Sequence, residues 1–287
     1  MMLRQRNRRV RLSAPRLIHL VPNMLTILGL CAGMSSIRYA MDGRFELAVI
    51  LIGAAVVLDG LDGRSARMFN LTSKLGAELD SLADFLSFGV APAILAYMWT
   101  LHDVRGVGWA VAMLFATCCA LRLARFNTEL EAPDRPSWTQ NFFTGIPAPA
   151  AAGLALTPLI ASFVLGDTLT RNWLLNAVFL VFVAAMMVSQ VPTFSIKKIR
   201  IAPEQVLPTL LVASVVIVGL VVETWLTLSV IGLLYLLSLP VGVVVARRMR
   251  EREAATAQPT PTTAPPSDEE GSAERVVNLG PRQQRPH

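Results

Sequence analysis

Charge is what this chain has least of. Of its 287 residues only 16% are Asp, Glu, Lys or Arg, against about 25% in ordinary soluble domains. So few charges cannot cover a water-facing surface of this size, and lipid is the expected main solvent. Cysteine and histidine are scarce too, with three of each. Cys31, Cys118 and Cys119 fall inside apolar stretches without metal-knuckle or disulfide spacing, and read as small packing residues. His19, His102 and His287 are too scattered for a metal triad. No glycine-rich run ends in Gly-Lys-Ser/Thr, which excludes a P-loop. Asp59-Gly-Leu-Asp62-Gly lacks the alternate-position ligands and distal Glu of an EF-hand.

What is present is apolar sequence. Hydrophobic residues make up 53% of the chain and the mean hydropathy is +0.51. Runs near the roughly 20 residues that cross a hydrocarbon core recur along it. Such long runs suit helices, which satisfy their own backbone hydrogen bonds in lipid, rather than alternating barrel strands. We expect an all-α polytopic membrane protein with about eight transmembrane helices, near 18–40, 45–66, 77–99, 107–127, 147–165, 173–190, 206–222 and 225–246. Residues 1–17 form a basic segment, 18–250 one transmembrane domain, and 251–287 a Pro/Thr/Ala-rich tail too polar to fold alone. The first apolar run is too long for a cleaved signal peptide and reads as a retained helix.

The formal charge of +6 is informative through its distribution. Arginines crowd the segment before the first helix, from Arg4 to Arg16, and basic residues recur in every second connection. Examples are Arg64, Arg67 and Lys74, then Arg122, Arg125 and Arg135, then Lys197, Lys198 and Arg200. The positive-inside rule puts those loops, both termini and the expected active site in the cytoplasm, with the chain crossing the membrane several times. Basic inner loops account for the charge, and no nucleic-acid partner is expected.

Against this background, four acids stand out. Asp59 and Asp62 are three residues apart, about 60° around a helix, and Asp80 and Asp84 four apart, about 40°. Each pair therefore faces one side of its helix, and the short connection makes the two helices antiparallel neighbours. Carboxylates so gathered repel one another unless protonated or bridged by cations. Hard ions such as Mg²⁺ or Mn²⁺ take oxygen ligands, and a two-ion site suits phosphate transfer. Gly63 and Ala66 remove bulk beside Asp62, and Arg67 can grip a phosphate oxygen. Gly76 leaves room one turn before Asp80. A divalent-cation or proton-coupled transporter would also use acids, but transporter sites lie near the midplane. Here the acids gather at one end of their helices.

Asp59-x-x-Asp62-Gly63-x-x-Ala66-Arg67, eight residues, then Gly76-x-x-x-Asp80-x-x-x-Asp84 resembles the signature of the CDP-alcohol phosphotransferase (phosphatidyltransferase) family. The resemblance implies a six-helix core followed here by two C-terminal helices, and an enzyme that displaces CMP from a CDP-linked substrate. It implies that Asp59, Asp62 and Asp80 hold the metal ions, the expected cofactors being two Mg²⁺ or Mn²⁺. Asp84 would complete the metal site and serve as general base. Gly63, Ala66, Arg67 and Gly76 would lie along CDP, as would Asn23 and Thr26 at the mouth of the first helix. A homodimer is usual among such proteins.

SKLGAELDSLADFLSFGVAPA, ALRLARFN and FFTGIPAPAAAG resemble, in content and order, the bacterial phosphatidylserine synthases of that family. CDP-diacylglycerol and L-serine are the substrates this implies; glycerol 3-phosphate or inositol phosphate is the alternative acceptor. Arg122 and Arg125 near the inner end of the fourth helix, with Asn127 beyond, suit the acceptor's carboxylate or the diphosphate. Gly145-Ile-Pro-Ala-Pro is expected to break the chain at the start of the fifth helix.

Overall fold

The computed structural model describes residues 21–68, 73–131, 142–189, 192–194 and 205–256. The basic N-terminal segment, His19, the connections carrying Arg135 and Lys197–Arg200, and the tail beyond Thr256 lie outside the described residues. The chain divides into two compact units, Met1–Arg247 and Arg248–His287. Of the second, only the closing turns of the last helix are described.

Helix dominates. α1 spans Val21–Met41, α2 Phe45–Met68 and α3 Lys74–Asp84. A π-helical segment, Phe85–Val90, carries α3 directly into α4, Ala91–Trp99, so that 74–99 is one continuous span. α5 (Gly106–Glu131), α6 (Ala148–Leu165), a single-turn α7 (Asp167–Thr170) and α8 (Trp173–Val188) follow. α9 (Val206–Val222) and α10 (Thr224–Thr256) complete the chain. With α3 and α4 counted as one span and α7 left aside, the described residues contain a helix at each of the eight expected positions. Four are long and apolar enough to qualify on length and composition alone, namely α1, the 74–99 span, α5 and α6. α8, α9 and the first half of α10 are apolar but shorter. The chain is an all-α polytopic membrane protein.

Three features depart from the sequence expectation. The span containing Asp80 is not uniform α-helix. Ala91 donates its backbone N–H to Leu86 five residues back, so the widened turn falls just before Pro92, which has no N–H to give. Second, Phe142–Thr144 and Pro192–Phe194 pair as two short antiparallel strands, β1 and β2. They join the approach to α6 to the exit of α8. Gly145 follows β1 at φ +77, and a Cβ there would lie 2.5 Å from the Met187 carbonyl oxygen. Only glycine tolerates both that backbone and that contact, so this residue is the break expected ahead of α6. Third, Cys31 is exposed on α1 rather than packed, whereas Cys119 is buried as expected. α1 packs through a different face, and Cys31 lies off it.

That face explains how the core closes. The buried positions of α1 are Pro22, Thr26, Gly29, Gly33, Ser36 and Ala40, a seam of small residues at alternating spacings of four and three. Small side chains let membrane helices approach closely and gain dispersion contacts along their length. α1 lies against α2, α3, the π segment and α4. At Gly33 the approach is extreme, since a Cβ there would stand 2.5 Å from the Ser87 hydroxyl. Beyond this, Phe88, Phe115, Leu154, Leu180 and Met187 fill the centre among the 74–99 span, α5, α6 and α8. α9, by contrast, buries no residue at all.

Candidate active site

The acids meet where α2 ends and α3 begins. α2 brings Asp59 and Asp62 on its last turns, and the chain returns through a short connection to α3. Ser73 caps α3, its hydroxyl accepting the Gly76 N–H at 3.0 Å. Asp80 and Asp84 then follow on successive turns. One carboxylate oxygen each from Asp59, Asp62 and Asp80 lies within 4.8 Å of the others. Asp84 is not part of that set but lines the same pocket, with Thr26 and Gly29 of α1, Ala55 of α2, and Ala83, Ser87 and Phe88. Asp62 is only 4% exposed.

Burying one carboxylate among three others is costly unless cations or hydrogen bonds compensate. One compensation is explicit: the buried Thr26 hydroxyl donates to Asp62 Oδ2 at 2.7 Å, from α1 to α2. The donor set is otherwise all carboxylate oxygen, which suits a hard divalent ion such as Mg²⁺ or Mn²⁺ and not a soft one. The residues present therefore fit the metal that the signature implies.

The remaining expected positions fall at the same end of the helices, with varied surroundings. Asn23 reaches Gly76, where a Cβ would stand 3.0 Å from both Asn23 Oδ1 and Ser73 Oγ. The space beside that glycine is thus occupied by Asn23 and Ser73, not left open. Gly63 is half-buried next to Asp62, and Ala66 and Arg67 continue α2, their side chains lying outside the described set. On α5, the Arg122 Nε is buried with no hydrogen-bond partner among the described residues. Its charge interacts with Asp84 and with Tyr235 of α10. Arg125 is half-buried one turn on. Asn127 donates through Nδ2 to Ser81 Oγ at 2.9 Å, tying the end of α5 to α3 between Asp80 and Asp84.

Ser81, Ser87 and Tyr235 were not singled out from the sequence. For the first two a signal existed, since each lies within three residues of Asp84 on the same span. Tyr235 is 113 positions from Arg122 in a helix of leucines, and only the fold brings it near.

A model of CDP-alcohol phosphatidyltransferase matches residues 19–189, more than half of the chain. The chain belongs to the CDP-alcohol phosphatidyltransferase family. A second model, CDP-alcohol phosphatidyltransferase 2, matches 204–240, the α9–α10 region. Among curated relatives, the CDP-diacylglycerol–serine O-phosphatidyltransferase of Mycobacterium leprae is 35% identical over 227 residues, 79% of this chain and 75% of its own. That of Helicobacter pylori is 40% identical over 187 residues, 64% of this chain and 75% of its own. That of Bacillus subtilis is 35% identical over 178 residues, 62% of this chain and 92% of its own. The acidic pocket of this phosphatidyltransferase lies wholly within the matched core, as do Arg122, Arg125 and Asn127. It is an enzyme of that class, embedded in a membrane.

Proposed function

We propose that this phosphatidyltransferase moves the phosphatidyl group of CDP-diacylglycerol onto the hydroxyl of L-serine, yielding phosphatidylserine and CMP. The observation that carries the reading is the convergence of Asp59, Asp62 and Asp80 oxygens beside Asp84 in one pocket at one end of the bundle. The serine transferase activity for which the relatives are named supplies the acceptor.

Asp59, Asp62 and Asp80, with Asp84 at the edge, are the residues that would hold one or two Mg²⁺ or Mn²⁺ ions. Bound there, such ions neutralise the diphosphate and make its phosphorus more electrophilic. Gly63, Ala66, Arg67 and Gly76, with Asn23 and Thr26, border the CDP side. Arg122 receives the serine carboxylate, or a diphosphate oxygen, because its buried Nε has no hydrogen-bond partner among the described residues and an anion would supply one. Arg125 adds positive charge, and Asn127 holds α5 against α3. Asp84 accepts the proton of the serine hydroxyl as its oxygen attacks the lipid-side phosphorus in line. The bond to CMP breaks on the opposite side, and the proton on Asp84 passes to water afterwards. A hydroxyl is a poor nucleophile at neutral pH, so a positioned base contributes a factor of about 10²–10⁴.

The basic connections support an orientation with this end in the cytoplasm of a bacterial inner membrane. Soluble serine and CMP then exchange with water while the acyl chains stay in the leaflet. The test is purified protein with CDP-diacylglycerol and Mg²⁺ or Mn²⁺, offered serine, glycerol 3-phosphate and inositol phosphate in turn. CMP release with serine alone is expected. Release only with one of the others replaces the acceptor while keeping the chemistry.

A further inference from the structure

Thr26 departs from what its place at the mouth of α1 suggests. Its Oγ1 lies 2.7 Å from Asp62 Oδ2 and 3.1 Å from the Pro22 carbonyl. The hydroxyl has one proton, and of the two acceptors the nearer is the carboxylate, in whose favour a charge-assisted bond is also the stronger. Both partners are nearly out of contact with solvent, Thr26 at 6% and Asp62 at 4%. A β-branched side chain on a helix has few rotamers, so the hydroxyl's direction is set by the backbone of α1. An ionised carboxylate offers about four acceptor directions. The bond from Thr26 and a backbone hydrogen bond from Gly63 occupy two of them, and Thr26 is the one side chain from another helix that orients the carboxylate among the described hydrogen bonds. The others remain for the pocket shared with Asp59 and Asp80.

From this geometry we propose that Thr26 is a positioning residue for the metal-binding carboxylate Asp62: it borders the nucleotide side but works through the acid. The inference rests on the metal-site reading above. Hydrogen bonds that orient metal ligands typically account for about 10–100-fold in metal affinity.

The experiment measures Mn²⁺ binding directly, by loss of the free-ion signal in electron paramagnetic resonance, on purified full-length protein in nanodiscs, with kinetics in parallel. Thr26→Val keeps the shape and removes the hydroxyl; it is expected to weaken Mn²⁺ binding about tenfold or more. The KM for serine should stay within about twofold, and Thr26→Ser, which restores the hydroxyl, should restore most of the affinity. Thr26→Ala carries the same expectation as Thr26→Val and replaces it if the valine protein does not purify folded. Wild-type Mn²⁺ binding in Thr26→Val together with a raised KM for CDP-diacylglycerol would overturn the proposal in favour of direct substrate contact. A serine variant as impaired as the valine one would overturn it in favour of methyl packing. Asp59→Asn separates the two levels of argument. If it too binds Mn²⁺ normally, the metal site itself is wrong and the Thr26 proposal goes with it. If it binds weakly while Thr26→Val binds normally, only the role of Thr26 fails.

Discussion

Among single residues, the acids differ in kind. Asp59, Asp62 and Asp80 present oxygens to one another, while Asp84 stands beside them with the charge of Arg122 in range. Substitution should therefore split two properties. Asp84→Asn is expected to retain Mn²⁺ binding and the KM for CDP-diacylglycerol far better than turnover, which falls by about 10²–10⁴. Steady-state CMP release at saturating substrate checks it, and near-normal turnover would remove Asp84 as the base. Asp59→Asn or Asp80→Asn should instead weaken metal and nucleotide binding together, read as a rightward shift of the metal-activation curve. Arg122→Lys keeps the charge but not the planar fork. We expect it to raise the KM for serine about tenfold or more while leaving Mn²⁺ affinity unchanged; an unchanged KM would confine Arg122 to an internal role.

For whole elements, the π segment is the feature with most leverage on the site. It begins at the residue after Asp84, and Ser87 within it donates to the Gly29 carbonyl of α1 at 3.3 Å. Gly33, one turn on, admits that serine by having no side chain. Gly33→Ala must move backbone as well as side chain, because the Ser87 Cα is also 3.0 Å from the added carbon. Overpacking of this sort costs about 1–3 kcal/mol. The expected outcome is a lower thermal midpoint in detergent and a larger loss in kcat than in metal affinity, since Asp84 sits nearer the strain than Asp59 does. Little of this was legible in the sequence. The apolar runs located the helices because lipid imposes length and hydrophobicity on membrane spans. Pairing the acids by spacing succeeded because 3.6 residues per turn fixes relative direction on a helix. The π turn, the β1–β2 pair and the nearness of Tyr235 to Arg122 depend on contacts across the bundle, and no local pattern encodes those. Gly76 marks the limit: its missing side chain reads as leaving room, yet Asn23 and Ser73 stand in the space beside it.

At the level of the molecule, every group named in the chemistry lies at one end of the bundle. Thr26 is near the start of α1, Asp62 near the end of α2, Asp80 in the first third of the 74–99 span and Asn127 near the end of α5. An even number of spans returns the chain to its starting side. Single cysteines in a background lacking Cys31, Cys118 and Cys119, placed at Lys74 and at Asp103, should therefore label from opposite faces of sealed vesicles. Equal labelling of both from one face would contradict the arrangement.

The seam of small residues on α1 has one more consequence. Advancing α1 against α2 by a single residue would slide it about 1.5 Å and turn it about 100°. The hydroxyl that now meets Asp62 would then look elsewhere, although lipid or protein would still cover the apolar surface. Gly33, fitted against Ser87 of the π segment, opposes such a shift. Tight packing along this groove therefore works as a gauge, calibrating the distance between reacting groups as well as holding the two rods together.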